Sequence, residues 1–304
     1  MKRRDFIQKT SAGALITIGG FGLTSFTNST KTSKITILHT NDVHSYIDTF
    51  GPNEGRNSNK GGVARRASLV QSIRNENPNT LLFDAGDFFE GTPYFNYYGG
   101  ELELKLMSKL KYDAATIGNH DFANGLDGLL AQYPHKDFPF LIANYDFSNT
   151  VLDTQTKPYQ VFIKDKIKIG VFGLGIELET LVLKSLYKET KYLDPVEITQ
   201  DITRILKTKE KCDLIICLSH LGYEYKNSAE KICDLKLAAL TKDIDLIIGG
   251  HTHTFLTKPT VVKNSEGKNM LVNQVGCYGI NLGKIDFYFD ADKNKSANGT
   301  SIIV

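Results

Sequence analysis

With 304 residues, 41% of them hydrophobic and 23% charged, the chain has ordinary globular composition and enough apolar side chains for one large core or two small ones. The formal net charge is +2, but the first 33 residues hold five basic side chains (Lys2, Arg3, Arg4, Lys9, Lys31) against one acid, Asp5, a contribution of +4. The remainder is therefore near −2, so nothing in the charge suggests a polyanion-binding surface, and no nucleic-acid partner is expected. Cys212, Cys217, Cys233 and Cys277 show no metal or redox spacing and read as small buried hydrophobes.

In chain order, residues 1–33 read as an export signal. Arg3-Arg4-Asp5-Phe6-Ile7 resembles a twin-arginine pattern, and a mild apolar run from Ala12 to Phe26 follows, broken by Gly19-Gly20. That run is too short and too glycine-rich to span a membrane, so an exported chain, periplasmic or extracellular, without a transmembrane segment is expected. Ile35 to Leu38 is a strand whose end is followed by Asn41-Asp42-Val43-His44. Thr49 to Lys60 is a surface loop rich in Gly, Asn and Ser. Gly62 to Glu76 carries a helical stripe through Val63, Ala67, Val70 and Ile73, entered by a Gly61-Gly62 turn. Thr80 to Phe83 is a buried strand running into Asp84-Ala85-Gly86-Asp87, where Asp84 reads as a brace for the turn.

The Tyr94 to Tyr98 aromatics read as core or rim packing, with substrate contact as the alternative. A helix follows over Leu102 to Leu110, then a short strand, Ala115 to Ile117, stops at Gly118-Asn119-His120-Asp121. Phe138 to Ala143 is a strand, and Val161 to Ile163 with Ile167 to Phe172 form a hairpin. A helix over Val196 to Thr208 precedes two more strands. Leu214 to Leu218 leads to Ser219-His220, and Ile244 to Ile248 leads to Gly249-Gly250-His251-Thr252-His253. Strands at Val261-Val262, Met270 to Val275 and Ile285 to Phe289 close the domain, which spans residues 34–290, and residues 291–304 are expected as a polar tail. Early βαβ units and a strand-rich end predict an α/β fold with two stacked sheets.

The chemistry gathers after the strands: Asp42 and His44, Asp87, Asn119 and His120, His220, His251 and His253. A strand that stops at glycine delivers its next side chains to the carboxyl edge of a sheet, where α/β proteins place ligands. The set offers oxygen and imidazole but no thiolate, which suits Mn, Fe, Co or Zn better than Ca²⁺ or a structural Cys-zinc site. Asp42-x-His44 and His251-x-His253 put two ligands on one side of an extended segment. A carboxylate such as Asp87 has two oxygens and can bridge two cations, and two divalent ions about 4 Å apart clamp a phosphoryl group. His39 and His135 read as a packed histidine and a loop histidine.

These segments, Asp42-Val43-His44, Gly86-Asp87-Phe88-Phe89-Glu90-Gly91, Gly118-Asn119-His120-Asp121, Ser219-His220 and Gly250-His251-Thr252-His253, resemble the calcineurin-like metallophosphoesterases, in particular their 5′-nucleotidase branch. The resemblance runs from about Ile35 to Phe289. It implies a four-layer α-β-β-α sandwich with two stacked mixed sheets. It also implies two divalent metal ions, one taking Asp42, His44, Asp87 and His253 and the other Asp87, Asn119, His220 and His251. Hydroxide on the metals would attack a phosphate monoester such as a nucleoside 5′-monophosphate, while His120 stabilises the transition state.

Two departures stand out. Ala123 occupies the place where the branch carries an acid paired with the catalytic histidine, which leaves His120 without that partner. The C-terminal nucleoside-binding domain of those enzymes has no counterpart after Phe289, so a separately encoded domain protein that binds the nucleoside is expected as a partner. Alternatives within the enzyme class are a 2′,3′-cyclic nucleotide or nucleotide-sugar phosphodiesterase and a thiosulfohydrolase. Outside it, the alternative is a metal-binding subunit with little activity.

Overall fold

The computed structural model describes residues 16–17, 33–228 and 230–304. Period-two alternation in the strands sends every second side chain to the opposite face. Ile35, Ile37, Leu81 and Phe83 point one way while Leu38 and Leu82 point the other. The same holds for Leu214, Ile216 and Leu218 against Ile215 and Cys217. Strands apolar on both faces have to be covered on both, and here two sheets cover each other while helices cover the outsides.

Across the first sheet the strands run Ile16–Thr17, Lys295–Ile303, Asn281–Phe289, Ser33–Thr40, Thr80–Asp84 and Ala114–Ala115; across the second they run Thr260–Lys263, Asn269–Asn273, Leu246–Gly249, Leu214–Ser219, Ile167–Leu174 and Tyr159–Lys164. Both sheets are mixed. Ser33–Thr40, Thr80–Asp84 and Ala114–Ala115 pair in parallel, as do Ile167–Leu174, Leu214–Ser219, Leu246–Gly249 and Asn269–Asn273, with antiparallel strands at the flanks. Helices Val63–Glu76 and Glu101–Lys109 pack Val70, Ile73, Leu104 and Met107 on the outer face of the first sheet, and Pro195–Thr208 and Asp234–Leu240 pack Ile202, Leu206 and Leu237 on that of the second. The result is the expected α-β-β-α sandwich of α/β class. Burying one such apolar side chain stabilises the fold by about 1.5–3 kcal/mol. Apolar contact between the sheets therefore dominates their association.

Pairing registers bring the parallel strands to a common finish. Thr40 lies opposite Asp84 and Asp84 opposite Ala115, while Leu174 and Gly249 both lie opposite Ser219. Among the described residues, the segments leaving this edge hold the Asp42, Asp87, Asn119, His220 and His251 motifs.

Three expectations are corrected. Residues 138–143 make no regular strand: Leu141 N–H donates to Ala115, Ile142 to Lys157 and Ala143 to Gly173, so the segment divides its backbone bonds between the two sheets and no single neighbour pairs with it. The strand before Gly118 is only Ala114–Ala115, because its partner strand ends at Asp84, opposite Ala115, and leaves nothing further to pair with. Residues 291–304 are not a frayed polar tail, since Lys295–Ile303 pairs along its whole length with Asn281–Phe289 and buries Ala297 between the sheets. Its polar side chains conceal this, because backbone bonds rather than an apolar face hold it in place. The expected signal over residues 1–33 lies outside the described residues apart from Ile16, Thr17 and Ser33. Among the described residues no helix is long and apolar enough to cross a membrane.

Candidate metal centre

Two groups of side chains converge above the sheet edge, Asp42 with His44 and His253, and Asp87 with His220 and His251. Asp87 stands between them: its Oδ2 is 3.0 Å from His220 Nε2 and 3.9 Å from His44 Nε2. Asn119 joins the second group through its Oδ1, 2.9 Å from His251 Nδ1. The structure thus gathers all seven residues expected as ligands.

Backbone strain holds several of them in place. Asp42, His44, Asp87, His251 and His253 all have φ between +49° and +69°, a left-handed region that non-glycine residues seldom enter and that marks functional sites. Glycine serves where backbone must pass close: a Cβ on Gly118 would lie 2.2 Å from Asp87 Oδ1, and one on Gly250 would lie 2.8 Å from His220 Nδ1. Further bonds fix each ligand's orientation. His220 Nδ1 donates to the Ala85 carbonyl at 2.7 Å, which turns Nε2 toward Asp87. The Asp42 carboxylate accepts the His251 N–H at 2.9 and 3.0 Å and an Asn41 side-chain N–H at 2.6 Å. Asp87 Oδ1 accepts the His120 N–H at 2.8 Å.

Electrostatics set the centre apart from the surrounding core. Burial opposes charge on His220, yet the Asp87 carboxylate raises its pKa to about 10. Burial likewise opposes charge on His253, where hydrogen bonding to Asp42 raises the pKa to about 10. On Asp87 burial works upward, but His220 and His44 outweigh it and hold the carboxyl well below its ordinary value. His251 falls to about 4 through burial and the neighbouring His220 charge.

The residues fit divalent cations. His220 Nε2 is buried with Asp87 Oδ2, 3.0 Å away, as its polar neighbour, and the Nε2 atoms of His44 and His253 face each other at 3.1 Å, an approach that needs a proton or a cation between them. The donors are all imidazole, carboxylate and amide oxygen, the set suited to Mn, Fe, Co or Zn.

His120 belongs to neither group. Its ring stands edge-on to His44, centroids 4.9 Å apart, and its Nδ1 lies 2.6 Å from Glu90 Oε2. The expectation that Ala123 leaves this histidine without a carboxylate is therefore corrected, since one arrives from a different loop. The bland readings hold elsewhere. Asp84 accepts the Thr40 hydroxyl at 2.5 Å and the Gly86 N–H at 2.9 Å, bracing its turn. His39 is buried against Asn273, Gly62 precedes the helix Val63–Glu76, and His135 sits in a short turn near Glu101. All four cysteines are free and buried.

Sequence reasoning gave no role to Glu90 and considered Asp121 only as a partner for His120, whereas the Asp121 carboxylate accepts the N–H groups of Asp87, Gly118 and Phe89 and ties two loops together. Their only signal was adjacency to the motifs. It also missed Tyr278, whose ring leans over both His44 and His253.

Comparison with known proteins accords with this geometry. The calcineurin-like phosphoesterase family matches residues 35–255, and the chain belongs to that family. Within it the similarity is to 5′-nucleotidases: a snake venom 5′-nucleotidase from Crotalus adamanteus is 33% identical over 281 residues, 86% of this chain and 46% of the relative. A 5′-nucleotidase precursor from Thermus thermophilus superposes with a TM-score of 0.80 at 33% identity, over 90% of this chain and 55% of that one. The calcineurin-like phosphoesterase YfkN from Bacillus subtilis superposes with a TM-score of 0.72 at 29% identity, over 90% of this chain and 91% of its solved chain. The chain spans about half the length of the venom enzyme it matches.

Proposed function

We propose that the chain is an exported, metal-dependent phosphoesterase that hydrolyses phosphate monoesters such as nucleoside 5′-monophosphates. The observation that carries this reading is the placement of Asp87 Oδ2 between the His44 and His220 imidazoles, with another histidine, His120, beside the cluster but outside it. One ion would be held by Asp42, His44, Asp87 and His253 and a second by Asp87, Asn119, His220 and His251. When bound, two such ions clamp a phosphoryl group and lower the pKa of a coordinated water.

The chain's own residues supply the rest. His120 keeps Nε2 free for substrate, because Nδ1 faces Glu90, so it is placed to stabilise charge on the phosphoryl oxygens and to deliver a proton to the leaving oxygen. A ligated imidazole has no such proton to give. Base recognition is assigned to a nucleoside-binding unit outside residues 34–290. The aromatic segment near this edge is suited to such a contact, with Tyr97 82% and Tyr98 46% exposed. Export follows from the Arg3-Arg4 leader and accords with the similarity to a venom enzyme.

The test is to purify the mature chain, count its metals, and assay it with Mn²⁺ against nucleoside monophosphates, a 2′,3′-cyclic nucleotide, a nucleotide sugar and thiosulfate esters. Monoester turnover that a chelator abolishes supports the reading. Turnover confined to diesters or thiosulfate esters, or metal binding without turnover, overturns it.

A further inference from the structure

Glu90 lies on the loop that follows strand Thr80–Asp84 and belongs to neither metal cluster, yet its Oε2 stands 2.6 Å from His120 Nδ1. We propose that Glu90 is the positioning residue that orients His120 for proton transfer to the leaving oxygen. The inference rests on the role given to His120 above.

The His120 turn has no carboxylate of its own to offer. Ala123 carries no side-chain oxygen, and both oxygens of Asp121 are taken, Oδ2 by the N–H groups of Asp87 and Gly118 and Oδ1 by that of Phe89. Among the described residues, Glu90 is the acid within ion-pair distance of the His120 ring. The loop delivering it is held in an uncommon conformation. Glu90 has φ +60°, where glutamate seldom sits, and Gly91 follows at φ +122°. A Cβ on Gly91 would lie 2.8 Å from the His44 carbonyl oxygen, so the loop is pressed against a candidate ligand while the Glu90 side chain reaches outward to His120.

Stability does not explain the pair. Both side chains are nearly half exposed, 44% for His120 and 47% for Glu90, and ion pairs that open to water contribute little to folding. What the contact does is orient the ring. With Nδ1–H directed at the carboxylate, the imidazole is held in one orientation, and Nε2 is the atom left to meet substrate. In the proposed step the Nε2–H bond breaks and a bond to the leaving oxygen forms. The phosphorus–oxygen bond to the leaving group breaks at the same time, its electron pair going to that oxygen, while the attacking hydroxide oxygen forms the new bond to phosphorus. His120 is left neutral, with its Nδ1–H still on Glu90.

Leaving-group dependence separates this role from mere support of the fold. An alkoxide leaves badly without a proton, whereas p-nitrophenolate needs little help. Metal-loaded wild type, Glu90→Gln, His120→Ala and Glu90→Gln/Ala123→Asp are assayed on a nucleoside 5′-monophosphate and on p-nitrophenyl phosphate. Metal content, melting temperature and the His120 imidazole N–H resonance are followed alongside. Glu90→Gln should lower kcat on the nucleotide by about 10- to 100-fold, KM moving by less than about threefold, and kcat on p-nitrophenyl phosphate by less than about threefold. Metal content and melting temperature should stay at wild type while the N–H resonance shifts. Moving the carboxylate to position 123 should restore at least about a tenth of the lost rate. Equal losses on the two esters, loss of metal, or no loss overturns the proposal. If His120→Ala lowers turnover while Glu90→Gln does not, Glu90 alone is misassigned; if neither variant has an effect, the role of His120 falls with it.

Discussion

The Nε2 atoms of His44 and His253 face each other at 3.1 Å, although 209 positions separate the two residues in the chain. Two ring nitrogens meet this way only around a proton or a cation. In the ion-free fold a proton serves, since His253, like His220, has its pKa raised to about 10. Ligation requires the neutral ring, so a divalent ion has to displace that proton. These raised values favour the protonated rings of both His220 and His253 at pH 7 in the ion-free fold. Loading the centre should therefore release about two protons, and metal affinity should climb as pH rises through neutrality. Titration calorimetry in two buffers of different ionisation enthalpy measures the release directly. A value near zero would contradict the assignment of His220 and His253 as ligands.

Asp87 and His120 should separate metal binding from turnover. Asp87→Asn removes the buried anion that faces both groups, and the affinity for at least one ion should fall by about tenfold or more. His120→Ala removes a side chain that belongs to neither candidate ligand group, so metal content should stay near wild type while turnover falls by about 10²-fold. Metal analysis after dialysis, set beside kcat, distinguishes the two. A His120 variant that loses an ion would make that residue a ligand.

Asp121 shows which parts of the site were legible and which were not. Strand ends followed by Asp, His and Asn are visible in a linear sequence because the strands alternate cleanly and glycines mark where they stop. The seven candidate ligands could thus be read before any fold was known. The groups that hold them could not. Asp121 and Glu90 act through atoms contributed by distant loops, and their partners follow from how those loops cross. The strand Lys295–Ile303 was hidden for a similar reason, being held mainly by backbone bonds to Asn281–Phe289 rather than by an apolar pattern. Residues 138–143 misled in the other direction: they are apolar enough for a strand, but their N–H groups are divided between two sheets.

The brace itself can be tested. Asp121→Ala would leave the N–H groups of Asp87, Gly118 and Phe89 without their acceptor in a buried place. Each unsatisfied buried donor costs about 1–3 kcal/mol, less where water enters, so a loss of roughly 3 kcal/mol is expected. Urea unfolding of the chelated chain measures it. A loss below about 0.5 kcal/mol, within the range of ordinary surface substitutions, would show that the loops do not depend on this carboxylate.

His39 should give the fold an acid-sensitive element that is independent of the metal centre. The side chain is fully buried, its Nε2 meets Asn273 at 2.8 Å, and burial lowers its pKa from 6.5 to about 3. The unfolded chain takes up a proton on this ring below pH 6.5, whereas the folded chain does not until about pH 3. Stability is thus whole above about 6.5 and is lost as the pH falls toward about 3, by roughly 2–3 kcal/mol at about pH 4.5. Asp84 and Asp234, pushed up by burial to about 7 and about 8, act in the opposite sense, binding protons more readily when folded. The total pH profile therefore mixes signs, and a comparison of variants isolates the histidine. His39→Gln should be less stable than wild type at about pH 7.5 through the lost Asn273 contact, but the gap should narrow by roughly 2–3 kcal/mol at about pH 4.5, because glutamine has no proton to exclude. Urea unfolding of both chains at the two pH values, with chelator present, reads the gap. The same gap at both would mean that the His39 ring takes up its proton inside the folded protein.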